Sequence, residues 1–132
     1  MSIVQKPLYL EIINDALQEL SDIEYQRRVW IKGSESEMSS MDEAVAALFN
    51  DSCLDIAIEK NAVVFSPEID RELRELRKLL QSSLYAQQIH GTAKVIKSSE
   101  WKDVRNRAAR ILEEIKGLQV KGVKPGDAIP NS

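Results

Sequence analysis

"SPEIDRELRELRKLLQSSLYAQQIHG", residues 66–91, decides the fold. Ile69, Leu73, Leu76 and Leu80 fall at spacings of four, three and four, the period of a single helix face. Ser66 can cap the first turn with its hydroxyl. Pro67 is tolerated there because its missing N–H would have had no helical partner. Gly91 suits the position just past a helix C-terminus. The stretch therefore predicts the longest helix of the chain, from Pro67 to about His90. On its other side Asp70 pairs with Arg74 and Arg71 with Glu75 at i, i+4, each pair contributing about 0.2–0.5 kcal/mol, and this side is read as a solvated face.

Moving towards the N-terminus, "AVVF" (62–65) has strand character but no partner of similar type, so it reads as a buried connector. Leu54, Ala57 and Ile58 suggest a short helix before it, which Asn61 can end. Ser40 and Glu43 have capping-box spacing ahead of Met41, Ala44, Val45 and Leu48, an i, i+3, i+4, i+7 set that requires a helix. "GSESEMSS" (33–40) has loop composition. The first helix is expected over Pro7–Leu20, with Leu8, Ile12, Ile13, Ala16, Leu17 and Leu20 on one face. In "SDIE" (21–24), Ser21 and Glu24 have the capping-box spacing for a second helix carrying "YQRRVWI" towards Gly33. On the other side of the long helix, Ser98 and Ser99 can cap a last helix with Trp101, Val104, Ala108, Ile111 and Ile115 inward, ended by Gly117. The pattern is that of an all-α, single-domain bundle of five to six helices over residues 1–118, with a mobile or loosely docked tail at 119–132.

The chain has 132 residues, enough for one self-sufficient core, with 43% apolar and 30% charged residues. Its formal charge of −3 disfavours a bare phosphate-binding surface and suits a basic partner. Cys53 is the single cysteine, which excludes an internal disulfide and a thiolate-cluster metal site and fits a reducing cytoplasm. Acids interrupt the apolar N-terminal run, so neither a signal peptide nor a membrane span is expected.

Catalytic chemistry finds little footing. His90, the only histidine, is placed at the end of the long helix, where a positive charge meets the helix dipole favourably. A Cys53–His90 dyad would need proximity and a third, orienting group; a core cysteine and a capping histidine are the simpler reading. Asp51, Asp55 and Glu59 recur every four residues and could in principle offer oxygen ligands to a hard cation, but the Ca²⁺-loop spacing with its glycine is absent. No phosphate-cradling glycine loop occurs. No metal and no cofactor are expected.

Two basic groups and one acidic group remain. Arg27 and Arg28 adjoin Trp30 in the second helix. Arg105, Arg107 and Arg110 lie on the last helix, where residues 107 and 110 share a side and Glu113 and Glu114 are within pairing distance. Glu35, Glu37, Asp42 and Glu43 form a negative surface at the exit of helix two, which Asp51 and Asp55 extend. Interfaces against basic proteins use such surfaces to speed encounter and select the partner.

"YQRRVWIKG", "SMDEAVAALFND" and "SSEWKDVRNRAARIL" occur in an order that resembles a family of small, helical bacterial proteins of unassigned activity. Gln26, Arg27, Trp30, Gly33, Asp42, Asn50, Asp51, Trp101 and Val104 carry the likeness, which spans roughly Leu8 to Leu112; Asn50 stands where the pattern tends to have an acid. The resemblance implies a cofactor-free helical protein in which Trp30 is a core or interface anchor and Arg27 and Arg28 are structural ion-pair donors. Such proteins are similar in character to immunity proteins that neutralise a cognate toxin. The function expected is a non-enzymatic, cytoplasmic protein-binding module, an immunity protein that neutralises a basic bacterial toxin domain through Glu35, Glu37, Asp42, Glu43, Asp51 and Asp55. The alternative is a nucleic-acid-binding regulator using Arg105, Arg107 and Arg110. A small hydrolase or transferase has no recognisable motif. A homodimer is compatible with any of these.

Overall fold

The structure, a computed structural model, describes residues 10–32, 40–60 and 63–120. Seven helices occur among them: α1 (Leu10–Ser21), α2 (Ile23–Tyr25), α3 (Met41–Ala46), α4 (Leu54–Glu59), α5 (Pro67–His90), α6 (Thr92–Val95) and α7 (Ser99–Val120). α2 runs on into a π-helical segment, Gln26–Ile31, and α3 into another, Ala47–Asp51. No strand is present among the described residues. The chain is an all-α bundle, as the periodicity requires.

The decisive helix forms as its sequence dictates. The Ser66 hydroxyl accepts from the Ile69 N–H at 3.1 Å, Pro67 stands in the first turn, and the helix ends at His90. Gly91 follows at φ 89°, ψ 156°, a backbone conformation that a Cβ would strain. Ile69, Leu73, Leu76 and Leu80 are all buried. α7 lies between α5 on one side and α1 on the other, and its inward set, Trp101, Val104, Ala108, Ile111 and Ile115, is fully enclosed. Removing solvent from side chains of this size stabilises by about 1.5–3 kcal/mol each. Ile13, Ala16, Leu17 and Leu20 of α1 face α7, and Met41, Ala44 and Leu48 close the core from the α3 side.

Several local expectations are corrected. The cap of α2 is Asp22, whose carboxylate accepts from the Tyr25 N–H at 3.1 Å, while the Ser21 hydroxyl turns back to the Gln18 carbonyl at 2.9 Å. The capping-box spacing is ambiguous by one residue because both side chains can accept, and Ser21 is still helical. α7 passes through Gly117 and continues to Val120, since a glycine with ordinary helical geometry weakens a helix without ending it. Asp70 does not belong to a solvated face. It is 5% exposed, and its two oxygens accept from the Val64 and Phe65 N–H groups at 2.8 and 3.0 Å. It thereby holds the connector, whose Val64 and Phe65 are buried and whose Val63 is exposed, against the start of α5.

The supposed row Asp51, Asp55, Glu59 is also broken. The π-helical segment ends at Asp51, Cys53 takes a left-handed backbone at φ 69°, and α4 starts afresh at Leu54. Buried Ser52 fastens this corner: its hydroxyl donates to the Leu48 carbonyl and accepts from the Leu54 N–H. Pro7, Leu8, Glu35, Glu37, Asn61 and the tail beyond residue 120 lie outside the described residues.

Candidate functional site

The stretch "YQRRVWIK" divides its side chains between the core and a surface groove. Gln26 is fully buried. Its Nε2 donates to the carbonyls of Glu19 and Leu20 at 2.9 and 3.0 Å, and its Oε1 accepts from the Trp101 indole N–H at 2.8 Å. One amide thus caps the orphan carbonyls at the end of α1 and satisfies the buried donor of α7. Trp30, half-buried, donates its indole N–H to Glu19 Oε2 at 2.8 Å and stands edge-on to Trp101, with ring centroids 5.8 Å apart at 63°. The buried half of this stretch is structural: it ties α1, α2 and α7 together. Its π-helical hydrogen bonding is seen where the Lys32 N–H reaches the Arg27 carbonyl at 3.2 Å.

The outward half lines a groove of about 510 Å³ against α6 and the turn after it. Ile23, Ile31, Ala93 and Ile96 supply its apolar surface. Arg27, Arg28, Lys32 and Lys97 stand around it with, among the described residues, a single acid, Glu24. Arg27 pairs with Glu24 at 3.0 Å, and the Arg28 guanidinium sits 5.5 Å from the centre of the Tyr25 ring. Lys32 and Lys97 are exposed and have no ion-pair partner among the described residues. A second recess, of about 380 Å³, lies between α5, α6 and the start of α7, with His90, Lys94 and the hydroxyls of Ser82, Ser83 and Ser98 at its walls.

The other expected site residues fall into two groups. Asp42 and Glu43 are exposed in the first turn of α3, beside the Ser40 cap, and Asp51 is exposed at the end of the following π-helical segment. None of the three carries an ion pair among the described residues. Asp55, by contrast, is engaged by Arg77 at 3.1 Å. The last-helix arginines are drawn into the α5–α7 seam. Arg107 contacts Asp103 at 3.1 Å and Glu75 at 3.2 Å, and Arg110 lies 3.6 Å from Glu72. The hydrogen bond that Arg107 donates to Asp103, with the charges of Asp103 and Glu75, raises the Arg107 pKa further above its ordinary value despite partial burial. Arg105 is half-buried, with its Nε enclosed and unbonded among the described residues.

The same seam brings two acids together. A hydrogen bond with Glu72 raises the Glu114 pKa, and burial and the Glu72 charge push it the same way, against the opposing charge of Arg110. A proton on Glu114 relieves the repulsion between the two carboxyls. Among the described residues no cluster of three acids, histidines or cysteines could hold a metal ion, and no helix is long and apolar enough to cross a membrane. Cys53 is half-buried at the corner before α4, and His90 is exposed beside the α5–α6 recess, where Cys53 takes no part.

Sequence reading placed Arg27 and Arg28 together but missed Lys32 and Lys97 as their companions. Lys97 is 65 or more residues distant from the other three cations, and nothing in its local pattern links it to them. None of the curated proteins and none of the solved structures matches the chain. Residues 7–116 match the domain of unknown function DUF7945, and the chain belongs to that family.

Proposed function

We propose that this chain is a non-enzymatic protein-binding module whose α3 face engages a basic protein domain, in the manner of an immunity protein covering a toxin. The observation that supports this reading is the distribution of charge pairing. Asp55 of α4, Glu72 and Glu75 of α5 and Asp103 of α7 are committed to arginines, in Asp55–Arg77, Glu72–Arg110, Glu75–Arg107 and Asp103–Arg107. Asp42, Glu43 and Asp51 stay exposed and unengaged among the described residues, so a partner's lysines or arginines could meet them without breaking an internal contact. Such charges act mainly on encounter rate and partner choice. The pairing speaks against the nucleic-acid alternative, because Arg107 and Arg110 would have to leave carboxylates before meeting phosphates.

The test is capture by tagged protein at low and moderate salt, with protein and nucleic acid both identified in the eluate, followed by titration of the purified partner. One stoichiometric basic protein, bound at least about tenfold more weakly by the Asp42→Lys, Glu43→Lys, Asp51→Lys triple variant, is the expected result. Inhibition of that protein's activity would supply the toxin-neutralising part. Binding indifferent to the triple change removes the α3 face from the reading. Nucleic acid that is lost as salt rises transfers it to Arg105, Arg107 and Arg110.

A further inference from the structure

We infer that the groove formed by α2, its π-helical continuation and α6 is a second docking site, one that takes an acidic, amphipathic segment of a partner protein. It is separate from the α3 face and opposite to it in charge. Among the described residues four cations and one acid surround the groove, a formal balance of +3 (4 − 1), on a chain whose total is −3. Cationic character here is a local concentration and runs against the composition. Glu24 is occupied by Arg27, whereas Lys32 and Lys97, one on each wall, are left without ion pairs among the described residues.

The apolar lining indicates what else the occupant must bring. Ile96 is 4% exposed and forms a finished floor, while Ile31 on the lip keeps 42% of its surface in solvent. A volume of about 510 Å³ is more than three times the roughly 150 Å³ cavity that accommodates a benzene-sized group. The groove is therefore large enough for about three apolar side chains, the number that one face of a short amphipathic helix presents at i, i+3 or i+4, and i+7. Acids on the flanks of that face would meet Lys32 and Lys97. Among the described residues the lining holds no aromatic ring on which a base could stack, which favours protein over single-stranded nucleic acid. Its concavity disfavours a planar lipid surface. One wall is π-helical, a conformation that recurs at functional sites.

The test uses the full chain and a labelled peptide with leucine at i, i+3, i+4 and i+7 and glutamate between them, followed by fluorescence anisotropy. The control has the same composition with its leucines scattered round the helix. Saturable binding of the first peptide is expected, weaker by about tenfold or more in K32E/K97E and in I31S, and unchanged in D42K/E43K. Circular dichroism checks that each variant keeps its helix content. No binding by the wild-type chain would overturn the proposal. So would equal binding of the scattered peptide, or affinity unaffected by K32E/K97E. An oligothymidylate that binds in place of the peptide and is lost in K32E/K97E would assign the groove to nucleic acid instead. Since D42K/E43K alters only the α3 face, failure of either site leaves the other separately measurable.

Discussion

Replacing Gln26 by methionine keeps the length of the side chain and deletes all of its polar contacts. The Trp101 indole N–H then loses its acceptor, and because Trp101 is fully buried, water cannot substitute. An unsatisfied buried donor costs about 1–3 kcal/mol. The two carbonyls that Gln26 Nε2 serves are affected unequally. Glu19 keeps the Asp22 N–H at 3.3 Å, whereas the Leu20 bond is the more enclosed of the two. Each lost bond adds about 0.5–1.5 kcal/mol, and the improved apolar transfer of methionine offsets part of the sum. The expected destabilisation is about 3 kcal/mol, a fall in Tm of roughly 10 °C for a domain of this size.

Urea unfolding followed by far-UV circular dichroism measures the loss. Tryptophan fluorescence reports the site directly, because Trp30 and Trp101 are the only two tryptophans. Trp101→Phe, which removes the donor and leaves the ring stacking, completes a double-mutant cycle. If the amide–indole bond contributes as the geometry indicates, Q26M/W101F is less destabilised than the sum of the single changes by about 1 kcal/mol or more. A Q26M variant within about 0.5 kcal/mol of wild type, or strict additivity in the cycle, would refute the assignment of Gln26 as the polar link between α1 and α7.

Two further outcomes are expected. Asp70→Ala strips two charge-assisted acceptors from the Val64 and Phe65 N–H groups, costing about 3 kcal/mol; hydrogen exchange at those two amides should quicken well before that of the α7 core, and unchanged protection would contradict the clamp. Glu114, whose pKa is raised in the folded state by Glu72, by burial and by the Glu72 charge, contributes stability that is fully present below the unfolded value of 4.5 and is lost as pH rises through the higher folded value. Glu114→Gln should therefore raise the urea midpoint relative to wild type at neutral pH, with the advantage shrinking as pH falls below that range. An equal difference at both pH values would contradict a raised Glu114 pKa.

Local rules determined much of this molecule. Ser40, Ser66 and Ser98 cap α3, α5 and α7 because a hydroxyl placed before an apolar 3.6-residue period meets an unpaired N–H, an interaction complete within four residues. The inward sets of α1, α5 and α7 follow from spacing alone, since each helix has one face it must hide. Asp70 shows where that logic stops. Its i, i+4 relation to Arg74 is visible in sequence, but the fold turned the connector's free N–H groups towards it, and two charge-assisted bonds outweigh one exposed pair. Gln26 likewise looks like any polar residue beside arginines until α7 brings Trp101 against it, 75 positions away. The groove depends on the same long-range closure. Arg27, Arg28 and Lys32 are neighbours in the chain, yet they become one wall of a cationic recess only because α6 delivers Ile96 and Lys97 opposite them. Helix faces are set by covalent periodicity, whereas the meeting of two faces, and the charge collected between them, is set by which surfaces the core leaves outside.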